Sequence, residues 1–193
     1  MSEITVCIPT YEYKGEGVKY LSELFRSLST QTFQDFDIVI SDHSQDNLIM
    51  DFCRETEYDF EITYIQNPNG RGLQATNTNC ALENAEGRII KLIYQDDIFV
   101  DDKALEKIKN KFDSLECKWL FHGFTHTTDG VETHRDCIPR WSDMMLEGRN
   151  LLGSLLLFGR CLASSKSIHS RSYSIKKRWG AQVLPTCALP VVE

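Results

Sequence analysis

The chain has 193 residues, 41% of them hydrophobic and 25% charged, enough for one ordinary domain of the soluble globular class. Its net charge of −7 is unevenly held. Residues 1–150 carry 27 acids against 15 Lys or Arg, whereas residues 151–193 carry only Glu193 against six basic residues. An acidic body argues against nucleic acid as the partner, because a phosphate backbone demands a basic footprint, and it suits a site that holds a cation.

No apolar run is long enough to span a bilayer; residues 151–158 are far too few. The opening Met1-Ser2-Glu3 leads directly into an alternating strand, without the layout of a signal peptide. Seven cysteines, an odd number without a Cys-x-x-Cys pair, fit reduced thiols and a cytoplasmic location better than a disulfide framework or a zinc site.

Residues 4–9 (ITVCIP) form a β-branched apolar run, the pattern of a buried strand. Val18, Leu21, Leu24, Phe25 and Leu28 then recur at helical spacing. Residues 36–41 (FDIVIS) give a second strand ending at Asp42, and residues 46–54 a short helix with Asp46 as its cap. A third strand, 61–66 (EITYIQ), closes on Asn67-Pro68-Asn69-Gly70. The spacing predicts a helix over 72–85 with Gly87 as its stop. Residues 88–94 (RIIKLIY) make a fourth strand that runs into Gln95-Asp96-Asp97, and Asp102 can cap a helix through about Leu115. Residues 119–125 read as one more strand, and 134–142 as a loop. After Gly153 the pattern degrades into seven serines, a Lys176-Lys177-Arg178 run and almost no acid.

Four strands alternating with helices predict an α/β fold, a mostly parallel, Rossmann-like sheet flanked by helices on both faces. Ligands of such sheets sit at the carboxyl ends of the strands. Those ends carry Thr10-Tyr11-Glu12, Asp42, residues 67–71, and Asp96-Asp97. Adjacent Asp96 and Asp97 repel each other unless a cation compensates, and Mg²⁺ or Mn²⁺ takes carboxylate oxygens while leaving positions for phosphate and water. The competing reading makes Asp97 a turn cap and Asp96 a solvated acid. Asp42, Arg71 and Tyr11 can surround the same crevice. The carboxylate would accept from a pyrimidine ring N–H, the guanidinium would bond a base carbonyl, and the ring would stack on the base. Each also has a bland role, as turn cap, surface ion pair or half-buried packing.

A rival motif is Gly70-Arg71-Gly72-Leu73-Gln74-Ala75, which matches the G-x-G-x-x-A fingerprint of dinucleotide-dependent oxidoreductases. Asn67-Pro68-Asn69 separates it from the preceding strand, where that fingerprint needs an immediate turn.

In order and spacing, VCIPTYE at 6–12, DIVISDHSQD at 37–46, residues 67–97 and GRNLLGS at 148–154 resemble the family 2 glycosyltransferases of the GT-A fold. The resemblance covers about residues 3–155. It implies a nucleotide-sugar-binding domain over 1–154, a sugar transferred with inversion from a nucleotide diphosphate donor to a saccharide or lipid-linked acceptor, and a role in cell-surface polysaccharide synthesis. It further implies that Pro9, Thr10 and Tyr11 line the base, that Asp42 and Arg71 contact it, that Gln95 belongs to the donor site, and that Asp96, with Asp97 beside it, binds the metal.

Two departures stand out. Tyr94 occupies the first acidic position of the family's D-x-D motif, which contacts ribose. Residues 153–192 hold no carboxylate side chain, although an inverting transfer needs a base for the acceptor proton. Asp129, Glu132, Asp136, Asp143 and Glu147 are the remaining acids, and none falls in a recognisable pattern. A tail over 155–193 that is not family sequence, arising from a shifted reading frame or a premature ending, would explain the change. The alternative function is then a non-catalytic nucleotide-sugar-binding remnant. His122, His126 and His134 fall on a predicted strand and loop at spacings that make zinc ligation a minor reading. Lys176-Lys177-Arg178 is a solvated basic patch, with weak attraction to anionic lipid as the minor reading.

Overall fold

A computed structural model describes residues 1–115, 119–121, 124–128, 131–136 and 162–165. The elements are β1 (Ile4–Thr10), α1 (Glu16–Ser29), β2 (Phe36–Asp42), α2 (Leu48–Glu55), β3 (Glu61–Gln66), α3 (Gln74–Glu83), β4 (Ile89–Leu92), α4 (Ala104–Leu115), β5 (Trp119–Phe121), β6 (Phe124–Thr128), β7 (Val131–Asp136) and β8 (Leu162–Ser165).

The main sheet runs β3-β2-β1-β4-β8-β5. Its first four strands are parallel, as the repeated strand–helix rhythm predicts, and β8 pairs antiparallel with both β4 and β5. Strand β1 is central and covered on both faces, so all seven of its residues are buried. Strand β3 is an edge strand, and its exposure accordingly varies along its length.

Side chains alternate between two cores. On one face Ile4, Val6 and Ile8 meet Leu21, Leu24, Phe25 and Leu28 of α1, Ile49 of α2, and Leu105, Ile108 and Phe112 of α4. On the other, Cys7, Val39, Ile90 and Leu92 meet Ala81 and Leu82 of α3 with Ala85 behind it. Phe25 is fully buried and lies 5.1–5.6 Å, centroid to centroid, from the rings of Phe52, Tyr58 and Phe60. Burying such a side chain stabilises the fold by about 2–3 kcal/mol. Burial also pushes the Cys7 thiol up, and raises Cys53 to about 12. Cys7, Cys53 and Cys80 are all free.

Several boundaries differ from the sequence reading. Residues 119–125 do not make one strand: β5 belongs to the main sheet, whereas β6 pairs with β7 in a separate two-stranded ladder. An unbroken run of strand formers conceals a change of sheet. His134 therefore lies in β7 rather than in a loop. Helix α3 opens at Gln74 instead of residue 72, because Gly70 and Gly72 hold positive φ values of 62° and 82°. The acid at the start of α4 is Asp101, not Asp102. Its Oδ1 accepts from Lys103 N at 2.9 Å and its carbonyl from Ala104 N at 3.1 Å, while the Asp102 carbonyl accepts from Thr32 N. Helix α2 likewise opens at Leu48 with Asn47 at its N-cap, so Asp46 stands one residue before the cap, its Oδ1 accepting from Leu48 N at 3.2 Å. Strand β8 places four residues of the 155–193 segment inside the main sheet. The remainder of that segment, including Lys176-Lys177-Arg178, lies outside the described residues.

Candidate functional site

Parallel pairing aligns the carboxyl ends of the first three strands: Thr10 is the register partner of Asp42, and Asp42 of Gln66. Polar groups gather along this edge. Asp42 is fully buried. Its Oδ1 accepts from Ser44 N at 2.9 Å and from Ser44 Oγ at 2.5 Å, and its Oδ2 accepts from the Tyr64 hydroxyl at 2.7 Å. Burial, with the bond to Asp42 behind it, raises the Tyr64 phenol above its ordinary range.

The same network reaches β1. Glu12 N donates to Ser44 Oγ at 2.7 Å, and the Glu12 carboxylate turns back to accept from Gly15 N at 2.6 Å and Val18 N at 3.0 Å. Two otherwise orphaned donors at the start of α1 are thereby satisfied, by a charge that suits a helix N-terminus. Gly17 is required at this approach, since a Cβ there would lie 2.8 Å from Glu12 Oε2 and 2.9 Å from the Tyr11 carbonyl.

Thr10 and Pro9 are buried. The Thr10 hydroxyl donates to the Ser41 carbonyl at 3.3 Å, and its own carbonyl accepts from Asn77 Nδ2 at 2.9 Å and His43 N at 3.1 Å. Asn77 Oδ1 in turn accepts from Ser41 Oγ at 2.6 Å, which ties α3 to both strand ends. Thr10 thus fastens the edge, and Tyr11, 48% exposed, is the residue of that pair that faces solvent.

Tyr11 is held by Gln95. Gln95 Oε1 accepts from Tyr11 N at 2.8 Å, and Gln95 Nε2 donates to the Tyr11 carbonyl at 2.9 Å. This clasp joins the end of β1 to the segment after β4, where Asp97 N donates to the Tyr94 carbonyl at 3.0 Å and closes a tight turn. Asp96 stands exposed on that turn and Asp97 half-buried beside it.

Arg71 is exposed, on the loop between β3 and α3. That loop is tethered by His43, whose Nε2–H donates to the Asn69 carbonyl at 3.0 Å, and by Asn67, whose N–H donates to the Asp42 carbonyl at 2.8 Å. Burial lowers the His43 pKa. The bond to Asn69 and the nearby Asp42 oppose that shift, and the Arg71 charge adds to it. Gly70 carries a positive φ and leaves no room for a Cβ, which would fall 2.7 Å from Thr76 Oγ1.

The structure thus gathers Pro9, Thr10, Tyr11, Asp42 and Gln95, with the Asp96-Asp97 turn, at one end of the sheet, and ties the Arg71 loop to Asp42. Sequence reasoning missed Ser44, Tyr64, His43 and Asn77 as the residues that organise it. The Asp42-x-Ser44 spacing was the one local signal, since a side chain bonding its own backbone two residues on is an Asx turn. Tyr64 and Asn77 act across 22 and 36 residues, and local spacing does not reveal them. The dinucleotide fingerprint has no support here: β3 ends at Gln66, Asn67-Pro68-Asn69 intervene, and α3 opens only after both glycines.

Among the described residues no group of three or more His, Cys, Asp or Glu could hold a metal unaided. A hard cation that shares its shell with phosphate and water needs only one or two carboxylates, and an acidic pair on an exposed turn supplies them. His126 and His134 are register partners across β6 and β7, and Glu132 and Asp136 lie on β7. His122, Asp129, Asp143 and Glu147 lie outside the described residues.

The strand order, with its polar groups gathered at the carboxyl edge, defines an α/β domain of the GT-A type. The chain belongs to glycosyl transferase family 2, whose family model matches residues 5–159. It is 31% identical over 110 residues to Glycosyltransferase GlyA of Streptococcus pneumoniae serotype 4, an alignment covering 56% of this chain and 15% of that protein. Its fold is similar to that of S. aureus TarS 1-349 in complex with UDP-GlcNAc, with a TM-score of 0.66, 19% identity, and coverage of 89% of this chain and 47% of that one. It is also similar to the mannosyltransferase PcManGT from Pyrobaculum calidifontis in complex with GDP-Man and Mn²⁺, with a TM-score of 0.54, 21% identity, and coverage of 63% and 35%. The chain therefore spans less than half the length of each of these proteins.

Proposed function

We propose that this domain transfers a sugar, with inversion, from a nucleotide diphosphate donor to a hydroxyl of a saccharide or lipid-linked acceptor, assisted by Mg²⁺ or Mn²⁺. One observation carries the reading: the two-bond clasp between Gln95 and the Tyr11 backbone sets the Asp96-Asp97 turn against the strand end that leads to Asp42. In this reading Tyr11 stacks on the base, Asp42 and Arg71 contact its edge, and Asp96, with Asp97 beside it, holds the cation. A divalent cation there neutralises the charge that develops on the leaving diphosphate. The clasp fixes the spacing between the base and diphosphate ends of the donor, so little reorganisation is needed on binding. The fold relative solved with a nucleotide sugar, and the one solved with Mn²⁺, support the reading.

The test is titration with UDP, with and without Mn²⁺, followed by a donor hydrolysis assay. The expected result is metal-dependent binding with turnover; absence of nucleotide binding at millimolar concentrations overturns the proposal. The lack of any carboxylate side chain over 153–192 favours a second reading, a non-catalytic nucleotide-sugar-binding module. Metal-dependent binding without hydrolysis or transfer would select it.

A further inference from the structure

Strand β3 is an edge of the main sheet, six residues long, and β2 is its one strand partner among the described residues. An edge strand presents a row of unpaired N–H and C=O groups, which proteins commonly guard with charge, proline or a bulge. Residues 62–66 (ITYIQ) show none of the three: they carry no charge and no proline, and the register with β2 runs unbroken to Gln66. The ladder tells which groups point outward. Asn67 N–H donates to the Asp42 carbonyl at 2.8 Å, on the β2 side. Main-chain groups alternate along a strand, so those of Thr63 and Ile65 face β2, and those of Ile62, Tyr64 and Gln66 face away from it. Ile62 and Tyr64 pack against the core under α1 and α2, and Ile65 against the core under α3, yet all three stay only half-buried.

We propose that this edge is a self-association surface, on which β3 of a second copy of the chain pairs antiparallel about a two-fold axis at Tyr64. Symmetry and register select the arrangement. A closed two-fold dimer that continues a sheet sets one residue opposite itself. Centring on Tyr64, whose main-chain groups face outward, places Ile62 opposite Gln66 of the second copy and Thr63 opposite its Ile65, with about six main-chain bonds exchanged. Charge agrees with it. Glu55, Glu57, Asp59 and Glu61 are all exposed on the approach to β3, so a parallel pairing would bring two acidic runs together. Antiparallel pairing sends each run toward residues 67–71 of the other copy, where Arg71 is the one charged residue. Like charges directly opposite are destabilising, and this register opposes none. One strand pair with its flanks makes a small interface against the standard of about 1,600 Å², so the dimer is expected to dissociate on the order of 10–100 μM.

The test is sedimentation of the wild type from about 1 μM to about 1 mM, with amide hydrogen exchange followed by NMR at both ends of that range. Sedimentation should move from monomer toward dimer. The amides of Ile62, Tyr64 and Gln66 should slow by about threefold or more at the high concentration, while those of Thr63 and Ile65, bonded to β2, stay unchanged. Wild type that remains monomeric at about 1 mM overturns the inference. So does a dimer that leaves the three outward amides unprotected, since it would run through another surface. Outward amides protected equally at every concentration assign the edge to another segment of this chain, and overturn it too. Two variants probe the edge at exposed side chains. Gln66→Pro removes one outward donor, and Thr63→Lys sets a charge opposite Ile65 of the second copy. Each should weaken self-association about tenfold or more, with the circular dichroism of the monomer unchanged. Dimerisation that neither variant weakens overturns the inference. The exchange measurement needs only the wild type, and it decides the matter where a variant fails to fold.

Discussion

The two sides of the carboxyl edge are built differently. On the β1–β2–β3 side the polar side chains at the strand ends are bonded within the protein: Asp42 to Ser44 and Tyr64, Thr10 to Ser41, Asn77 to both strands. Beyond β4 the acids stand instead on a tight turn, Asp96 exposed and Asp97 half-buried, and the clasp by Gln95 ties this turn to the rest of the edge. The first side is held rigid by burial. The second presents Asp96 to solvent, with Asp97 half-buried beside it. On the proposed function, stability rests mainly on the first side and cation binding on the second, and substitutions should separate the two.

Asp42→Ala is expected to have the largest effect. It strands the half-buried Tyr64 hydroxyl and both buried Ser44 donors, costing roughly 4 kcal/mol at the usual penalty for orphaned groups, read as a lower urea midpoint without ligand. Asp96→Ala should do the reverse. Mn²⁺-dependent affinity for UDP should fall about a hundredfold, roughly 2.7 kcal/mol, while unfolding without ligand moves by no more than about 0.5 kcal/mol. Loss of stability without loss of metal dependence would erase the contrast between the two sides. Gln95→Ala joins them: removing both bonds to the partly exposed Tyr11 backbone should cost about 1 kcal/mol of stability and also weaken UDP binding, checked by thermal shift with and without nucleotide.

The smallest effect concerns pH. His43 has a folded pKa below its ordinary value of about 6.5. Its unfolded form therefore takes up a proton first as the solution is acidified, so its contribution is fully present above that value and is lost as pH falls toward the folded one. His43→Gln should flatten the fall in stability between neutral and mildly acidic pH, measured by urea unfolding across that range. An unchanged slope would show that other groups govern it.

Much of this was legible along the chain. The buried strands announced themselves as apolar β-branched runs, the covering helices by their 3.6-residue spacing, and the carboxyl-edge location of Tyr11, Asp42 and the acid pair followed from α/β topology alone. Local chemistry misled where two neighbours were equivalent, as with Asp101 and Asp102, or where strand formers ran across a change of sheet between β5 and β6. The bonds that organise the edge were beyond its reach. Tyr64 on Asp42, Gln95 on Tyr11 and Asn77 on Thr10 span 22, 84 and 67 residues, and nothing in residue type or periodicity specifies such partners.

By itself, then, the sequence determined the layers, the direction of the first four strands and which edge gathers their polar ends, because side-chain period and burial are local properties. Tertiary structure alone decided which distant polar groups bond one another, and that Asn67 keeps a buried donor without a partner. Hydrogen-bond satisfaction depends on atoms brought together from distant strands, and only folding brings them within reach.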